Sequence, residues 1–189
     1  MYPIIRPPRF IYNPAILDPR RIYRGRFTHS VHMIPFPLSV YAPRDMRYVV
    51  LYLHGNSSSR YEGFLQLAHL PLDVGLACFD FNGCGLRTQS SYISLGKNEA
   101  ADVDTAARFL KSMGVKVIGW GRSMGAVSLL LSSELDVLAV DSPFSSLNRL
   151  VRELGKTQLP CCCLTPFYYC LIPFVWCAAS REITKKTGM

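Results

Sequence analysis

A serine between two glycines is the strongest chemical signal in the sequence. The segment Gly121–Gly125 reads Gly-Arg-Ser-Met-Gly and separates a run typical of a strand from a run typical of a helix. In that context a G-x-S-x-G segment forms a sharp, strained turn, the nucleophile elbow, which exposes the serine hydroxyl above the edge of the sheet. The spacing predicts Ser123 as a nucleophile for acyl transfer, with Gly121 and Gly125 as structural supports. The alternative is a tight turn without a chemical role.

Two backbone amides are candidates for stabilising negative charge beside this serine. Met124 follows the serine at a predicted helix N-terminus, where unpaired N–H groups can receive a developing anion. His54, Gly55 and Asn56 end an earlier predicted strand, and ligands of open α/β sheets bind at the edge where such strands end. We expect the amides of Asn56 and Met124 to form an oxyanion hole, with Gly55 in support. For the His54 imidazole we expect a hydrogen-bonded structural role, and general base catalysis is its alternative.

The elements that would position these groups alternate between strand-like and helix-like runs. Alternation of apolar and polar residues predicts a hairpin or a bent edge pair over 27–33 and 38–41, and apolar runs predict strands over 48–54, 76–81, 115–120 and 137–141. Helical periodicity predicts helices over 61–70, 97–113 and 124–133. Such alternation is typical of parallel strands joined by helical crossovers. The predicted fold class is therefore α/β, with a doubly wound, mostly parallel sheet.

The chain is predicted to have one core flanked by two segments of different composition. Residues 1–26 are rich in proline and arginine and predict an extended arm, because proline disfavours helix interiors and central strands. Residues 27–148 form the predicted core, and residues 149–189 a cap-like or cysteine-rich apolar tail. The strand over 137–141 would be an apolar edge, which natural proteins avoid exposing. Its expected cover is the segment 159–180, a partner chain or a continuation of this chain.

Five segments together resemble the α/β-hydrolase superfamily. They are His54–Arg60, Phe79–Gly85, Tyr92–Gly96, Gly119–Gly125 and Asp141–Phe144, in the order and spacing of that superfamily. More narrowly, the set is similar to the serine aminopeptidase-like hydrolases of protists and plants. The resemblance implies the α/β-hydrolase fold, Ser123 as nucleophile and the amides of Asn56 and Met124 as oxyanion donors. It also implies structural roles for Asp80 and the turn Asn82–Gly85.

The sequence departs from this family after the nucleophile. Family members continue with a strand that bears an acidic residue and with a loop that bears the catalytic histidine. This sequence has four histidines, all before Ser123: His29, His32, His54 and His69. Asp141 ends the next predicted strand and is the candidate for the acid, with a turn or capping role as its alternative. The resemblance implies a truncated hydrolase whose base and acid would come from sequence beyond Met189.

Composition bears on partners, cofactors and location. Hydrophobic residues make up 49% and charged residues 18% of the 189 residues, which argues against disorder. The formal net charge is +8, but no basic cluster carries stacking aromatics or a nucleic-acid motif, so we expect no nucleic-acid partner. Seven cysteines without a disulfide pattern favour reduced thiols and a cytoplasmic location. We expect no metal and no organic cofactor.

The segment 159–180 carries no charge. About twenty apolar residues can span a bilayer, but three prolines, Pro160, Pro166 and Pro173, interrupt this segment. We expect short helices or loops that cover the domain. Peripheral membrane contact, insertion across a bilayer and S-acylation of the neighbouring cysteines are the alternatives.

These observations favour a serine hydrolase. It would act on an ester, thioester or amide of a small acyl or peptide-like substrate through an acyl-enzyme at Ser123. The alternative is a catalytically degenerate hydrolase-fold protein that binds an acyl ligand or a protein partner, because the triad histidine and aspartate are absent from their family positions. The sequence does not specify the acyl group, the leaving group or the oligomeric state.

Overall fold

The computed structural model describes residues 8–23, 25–89, 92–146 and 149–150. The chain divides into two units, one of residues 2–143 and one of residue 1 with residues 144–189. The helices and strands given below belong to the first unit. The tail expected over 149–189, including the segment 159–180, lies outside the described residues apart from residues 149 and 150.

Six strands of the described chain form one mixed sheet. They are β1 (Thr28–Met33), β2 (Pro37–Ala42), β3 (Tyr48–Leu53), β4 (Val74–Phe79), β5 (Lys116–Arg122) and β6 (Leu138–Asp141). Their order across the sheet is β1-β2-β4-β3-β5-β6. β2 is antiparallel to both β1 and β4, whereas β4, β3, β5 and β6 run parallel. Because parallel strands share a direction, the carboxyl ends of these four strands lie along one edge of the sheet.

Helices cover both faces of this sheet. They are α1 (Arg20–Tyr23), α2 (Arg60–Gln66), α3 (Glu99–Ser112) and α4 (Met124–Leu131). A Cβ at Gly63 of α2 would meet the side chain of Cys78 in β4, whereas a Cβ at Gly119 of β5 would meet a leucine of α4. Cys78 is paired with Tyr52, and Gly119 is paired with the preceding residue of β3, Leu51. Because consecutive residues of a strand point to opposite faces, α2 and α4 pack on opposite faces of the sheet. In the described part of the chain no helix is long and apolar enough to cross a bilayer.

The central strand β3 is buried on both faces. All its residues except Tyr48 are buried. Its neighbours β4 and β5 are both parallel to it, and Leu51 is paired with Ala77 on one side and with Gly119 on the other. A continuous apolar run is typical of a strand in this position, and each fully buried aliphatic side chain contributes about 1.5–3 kcal/mol of transfer free energy. This burial fixes the positions of the loops that follow β3 and β5.

An aromatic-rich core joins the amino-terminal arm to the α2 face of the sheet. Its buried members are Tyr12, Leu17, Phe27, Tyr41, Val50, Tyr52, Phe64, Leu67, Leu76 and Cys78. The ring of Phe64 lies 5.5 Å from that of Tyr41 and 5.8 Å from that of Tyr23. Aromatic pairs at such separations contribute beyond the area that they bury. The arm is therefore part of the packed unit.

The arm is not extended throughout, which corrects the prediction for residues 1–26. Pro14–Leu17 form a 3₁₀ turn and Arg20–Tyr23 form α1. Proline is tolerated at the first position of a helical turn, because the amide there has no intrahelical partner. Pro14 occupies that position after Asn13, whose side chain caps the turn, and Pro19 directly precedes α1. These prolines begin helical turns instead of preventing them.

The predicted α/β fold class with a mostly parallel sheet is confirmed. Each predicted strand is present, and the helix predicted over 61–70 divides into α2 and a 3₁₀ turn at Leu67–His69. The strand predicted over 137–141 is β6, which lies at one edge of the described sheet. Leu138 and Val140 in this strand are exposed, as the prediction of an apolar edge implies. The expected covering segment 159–180 falls outside the described residues.

Candidate active site

Ser123 lies in a strained turn between β5 and α4. Its backbone has φ 52° and ψ −111°, a conformation that side chains other than glycine rarely adopt. Its N–H donates to the carbonyl of Asp141 at 2.8 Å, and its own carbonyl accepts from the N–H of Val127 at 3.1 Å. Strain of this kind costs about 1–3 kcal/mol and persists only when the surrounding structure enforces it. Here the neighbouring strand β6 and the first turn of α4 supply that constraint.

The two glycines of this turn are required by close backbone contacts. We call Gly121–Gly125 the serine turn. A Cβ at Gly121 would lie 2.5 Å from the carbonyl of Gly125, and a Cβ at Gly125 would collide with the carbonyl oxygen of Leu53. Such approaches are impossible for a side chain without backbone movement. The glycines therefore allow α4 to pass directly over the ends of β3 and β5.

The hydroxyl of Ser123 is partly exposed and is not used by the surrounding structure. It does not cap α4, and it makes no hydrogen bond to any described residue. Ser142, which follows β6, provides a contrast at the same edge. It has the same φ of 52°, but its Oγ donates to Oδ1 of Asp141 at 2.7 Å. Of these two strained serines, Ser123 is the one that keeps its hydroxyl available.

The proposed amide donors leave the sheet at the same edge as Ser123. Leu53, the last residue of β3, is paired with Gly121 of β5, so the loops after the two strands are neighbours. Asn56 lies in the loop Gly55–Ser59, which we call the β3 loop. Met124 is the first residue of α4, and its N–H has no backbone acceptor among the described residues. The sheet thus brings Ser123, Met124 and the β3 loop together.

His54 is buried, and both of its ring nitrogens contact backbone groups. Nδ1 donates to the carbonyl of Gly55 at 2.8 Å, which leaves Nε2 to accept from the N–H of Phe81 at 3.1 Å. Burial lowers the pKa of this imidazole, so it stays neutral. Phe81 follows β4, on the side of β3 opposite to β5. The ring therefore points away from Ser123, and general base catalysis by His54 does not fit this geometry.

Asp141 contacts Ser123 through its backbone carbonyl. Its carbonyl accepts the Ser123 N–H, while its carboxylate accepts from the Ser142 hydroxyl. Asp141 is paired with Arg122 in the β5–β6 ladder and is exposed. These contacts match the turn role that was the alternative to a triad acid.

The other histidines are far from the serine turn. His29 and His32 lie in β1, and three strands separate β1 from β5. With about 4.8 Å between neighbouring strands, the two ends of that span are about 19 Å apart. His69 precedes β4 and therefore lies toward the amino edge of the parallel strands. No described histidine can accept the proton of Ser123, and within the described ranges no three His, Cys, Asp or Glu side chains are placed to hold a metal ion.

Glu62 in α2 connects the β3 loop to the residue before Ser123, a contact that the sequence analysis missed. Its Oε1 accepts from Nε of Arg122 at 2.5 Å and from the hydroxyl of Tyr52 at 2.6 Å, and its Oε2 accepts from Nη2 of Arg122 at 2.9 Å. Ser58 also helps to lower the pKa of this carboxylate. Glu62 and Arg122 are 60 residues apart in sequence, and no local pattern signals such a pair.

Asp80 forms a second carboxylate centre at the same edge, after β4. Its Oδ1 accepts the N–H of Arg60 at 2.7 Å, and its Oδ2 accepts the hydroxyl of Tyr12 at 2.8 Å and the N–H of Leu86 at 3.2 Å. The guanidinium of Arg60 lies 3.7 Å from Oδ2, and both side chains are buried. Burial, followed by the charge of Asp80, raises the pKa of Tyr12. The position of Asp80 matches the structural role that the family resemblance implies.

Several solved hydrolases have a similar architecture. An esterase of Pyrococcus furiosus matches with a TM-score of 0.55 and 22% identity, covering 74% of this chain. A serine hydrolase without a lid from Xanthomonas campestris matches at 0.51 and 19% identity over 63% of this chain, and a peroxisomal α/β-hydrolase of Saccharomyces cerevisiae at 0.52 and 16% over 65%. The described chain therefore has the α/β-hydrolase fold.

These likenesses extend over part of the compared proteins. The chain covers 58% of the Pyrococcus esterase, 62% of the Xanthomonas hydrolase and 46% of the Saccharomyces hydrolase. No protein-family model matches the sequence, and no curated protein matches it. At these identities the comparison concerns the fold alone, and the narrower aminopeptidase-like resemblance stays a prediction.

Proposed function

We propose that this chain is a serine hydrolase that acts on an ester, thioester or amide, with Ser123 as its nucleophile. The observation that carries the proposal is the serine turn, which holds a non-glycine residue at φ 52° and leaves its hydroxyl partly exposed and without a hydrogen bond to any described residue. Strained residues cluster at active sites, where the surrounding structure holds them in place. The α/β-hydrolase fold, which esterases share, supports the same interpretation.

The proposed reaction is acyl transfer through two steps. Oγ of Ser123 attacks the carbonyl carbon of the substrate, and a C–O bond forms while the carbonyl oxygen becomes negative. The amides of Asn56 and Met124 donate hydrogen bonds to that oxygen. The bond to the alcohol, thiol or amine then breaks, the leaving group takes the proton that Ser123 lost, and an acyl-enzyme remains. Water attacks the acyl group, the acid is released, and the serine hydroxyl is restored.

Proton transfer from Ser123 limits the expected rate. The four histidines are engaged elsewhere or lie far from the serine turn, so these residues supply no histidine base. Loss of a triad histidine can lower turnover about a million-fold, whereas oxyanion donors and binding alone retain about 10³–10⁴ over the reaction in water. We therefore expect slow turnover from these 189 residues alone and faster turnover when a proton acceptor is supplied from outside them.

A binding protein with a degenerate hydrolase site is the second candidate. The observation that favours it is the same lack of a histidine near Ser123 in the described chain. In a binding protein the serine turn would serve packing alone, because Gly121 and Gly125 allow α4 to contact the ends of β3 and β5. An acyl ligand or a protein partner would bind without turnover.

Covalent labelling with a fluorophosphonate distinguishes the two candidates. The probe reacts when the serine oxygen bonds to phosphorus and fluoride leaves, so it reports the nucleophile without needing turnover. We expect the folded chain to be labelled on the peptide that contains Ser123, and the label to disappear in Ser123→Ala. Ser142→Ala is the matched control, because Ser142 has the same φ but its hydroxyl is bonded to Asp141.

Each outcome assigns one function. Labelling that is lost only in Ser123→Ala supports the hydrolase. A folded wild-type chain that takes no label after prolonged incubation supports the binding protein and contradicts the proposed nucleophile. Labelling that survives Ser123→Ala would place the reactive group elsewhere and would remove the serine turn from the mechanism.

The substrate class follows from the narrower resemblance and is part of the proposal. Similarity to serine aminopeptidase-like hydrolases favours a small acyl or peptide-like substrate. Paired assays with a short-chain p-nitrophenyl ester and an aminoacyl p-nitroanilide of similar size would compare ester with amide cleavage. Activity restricted to the ester would exclude the aminopeptidase-like assignment and leave the esterase assignment intact.

A further inference from the structure

The carboxylate of Glu62 accepts hydrogen bonds from two strands near the serine turn. Tyr52 comes from β3, and Arg122 from the end of β5, directly before Ser123. Ser58 of the β3 loop also helps to lower the pKa of Glu62. Glu62 itself lies in the first turn of α2, which begins directly after the β3 loop and is capped by Ser59.

The side chain of Arg122 joins Glu62 in α2 to the end of β5. Its Nε and Nη2 donate to the two oxygens of Glu62, which is the bidentate geometry that fixes a guanidinium plane. A Cβ at Gly55 would lie 3.2 Å from Nη2 of Arg122, so the guanidinium packs directly on the backbone of the β3 loop. Arg122 therefore touches the residue before Asn56 while its own backbone leads into Ser123.

Both members of the pair are charged across the neutral range. Burial by itself would raise the pKa of Glu62, but hydrogen bonds from Arg122, Ser58 and Tyr52 hold it below its ordinary value of 4.5. The hydrogen bonds to Glu62 raise the pKa of Arg122. The side chain of Glu62 is 16% exposed and that of Arg122 47% exposed. The carboxylate is thus less accessible to water than one in an exposed surface pair.

We propose that Glu62 and Arg122 are positioning residues, which hold the Asn56 amide of the β3 loop at a fixed distance from Ser123. This inference rests on the proposed function, since it assigns a task to the site where Asn56 and Met124 would bind an oxyanion. It adds a specific coupling, because the serine turn and the β3 loop are joined through one side-chain pair. Neither residue touches the reacting atoms.

The coupling is needed because the two amide donors sit on separate segments. Met124 is fixed by α4, whereas Asn56 lies in a loop whose next residue, Ser57, has φ 65°. Oxyanion stabilisation requires donors about 2.7–3.1 Å from the oxygen, and a misplacement of about 1 Å can lower a rate about 100-fold. The salt bridge from Arg122 to Glu62, in the helix that begins directly after the loop, limits such displacement.

Fluorophosphonate labelling of variants tests this pair. The variants are Glu62→Gln, Arg122→Gln, Arg122→Lys and the double variant Glu62→Gln/Arg122→Gln. Glu134→Gln is the matched control, because Arg108 and Glu134 form an ion pair at 3.0 Å that is remote from the serine turn. Labelling kinetics give the saturating inactivation rate constant and KI, and thermal melting shows that each variant is folded. Hydrogen exchange of the β3 loop and the serine turn is measured on the same proteins.

A positioning role predicts that the pair variants lower the inactivation rate constant and leave KI nearly unchanged. We expect Glu62→Gln and Arg122→Gln to lower the inactivation rate constant about 10–100-fold with KI nearly unchanged. The double variant should fall no further, because either change breaks the same pair. Arg122→Lys, which keeps the charge but loses the fork, should lie between wild type and Arg122→Gln. Exchange should become faster in both the β3 loop and the serine turn, and Glu134→Gln should change neither rate nor exchange.

The outcomes separate this inference from the proposed function. If wild type is labelled and the pair variants match Glu134→Gln, the positioning role is wrong while the nucleophile stands. If wild type is not labelled, the proposed function fails and with it the catalytic use of the pair. Faster exchange confined to α2 would contradict the coupling itself, whether or not labelling occurs.

Discussion

Two turns at the carboxyl edge of the sheet both contain closely packed glycines, but they differ in whether their polar side chain is hydrogen-bonded. The serine turn after β5 and the segment Asp80–Gly85 after β4, which we call the aspartate turn, both depend on glycines that approach other atoms closely. In the aspartate turn the carboxylate accepts three hydrogen bonds beside a buried guanidinium. In the serine turn the hydroxyl has no partner in the described chain.

The difference separates a structural site from a candidate chemical site. A buried polar group that satisfies its hydrogen bonds stabilises the fold and has nothing left to offer a ligand. A residue that is held in a strained backbone conformation costs stability, and that cost is expected where chemistry occurs. His54, like Asp80, is a structural residue in this sense, because both its ring nitrogens contact backbone groups.

Removal of Asp80 should give the largest loss of stability. Asp80→Ala leaves the guanidinium of Arg60 buried without its carboxylate, and breaking a buried pair in this way costs about 3–5 kcal/mol. Urea denaturation measures the change in free energy of unfolding. Asp18→Ala is the control, because its partner Arg20 is 81% exposed; it removes an exposed ion pair and the hydrogen bond from the Arg20 N–H at the start of α1, so we expect a smaller loss. Equal losses in the two variants would contradict the structural role of Asp80.

Gly125→Ala should lower stability by about 1–3 kcal/mol, because the new Cβ collides with the carbonyl of Leu53. Gly114→Ala is a control for backbone strain alone. Gly114 has φ 78° but no atom within 4 Å of its Cβ position, so we expect a loss of about 1 kcal/mol. The Gly125 variant should also lose labelling of Ser123, and the Gly114 variant should keep it. A stable, fully labelled Gly125→Ala would show that the close contact is not required.

The buried His54 should make stability depend on pH. Its folded pKa lies below the ordinary value of 6.5, so the unfolded chain binds the proton first as the pH falls. The stability is present above pH 6.5 and is lost below it, by up to about 1.4 kcal/mol per pH unit. His54→Gln should flatten the dependence of unfolding free energy on pH between 5 and 7 relative to wild type. The same slope in His54→Gln and wild type would contradict the structural role of His54.

Relief of strain at Ser123 should raise stability slightly. Ser123→Gly places a residue that tolerates positive φ in the serine turn, and we expect a gain of about 1 kcal/mol in unfolding free energy with complete loss of labelling. Ser142→Gly also relieves a φ of 52°, but it loses the hydrogen bond to Asp141, so its gain should be smaller and its labelling intact. Destabilisation by Ser123→Gly would indicate that the serine side chain supports the fold.

Local pattern was sufficient to predict most of the fold. The apolar run over 48–54 predicts β3 because a strand buried on both faces needs no alternation, and the structure has Tyr48–Leu53. The run over 115–120 predicts β5, which extends to Arg122. The arm over 1–26 was predicted less well, because proline excludes helix interiors but not the first turn, where Pro14 lies.

The side-chain contacts of Glu62 and of Asp80 could not be predicted in the same way. Glu62 and Arg122 are 60 residues apart, and Tyr12 and Asp80 are 68 apart, so their contacts depend on strand order. The serine turn was predictable because Gly121, Ser123 and Gly125 are adjacent and their spacing reflects backbone geometry. Sequence could therefore locate the candidate nucleophile but not the groups that hold its surroundings in place.

The most direct test of the central claim is the site of fluorophosphonate labelling, mapped by mass spectrometry in the folded chain and in the urea-unfolded chain. The claim is that the folded serine turn makes Ser123 the serine of this chain that reacts, at a rate limited by proton transfer because these residues supply no histidine base. It predicts a single label on the peptide containing Ser123 in the folded chain, absent in Ser123→Gly and absent after unfolding. A folded chain without label, or one labelled equally at Ser142 and Ser123, would contradict it.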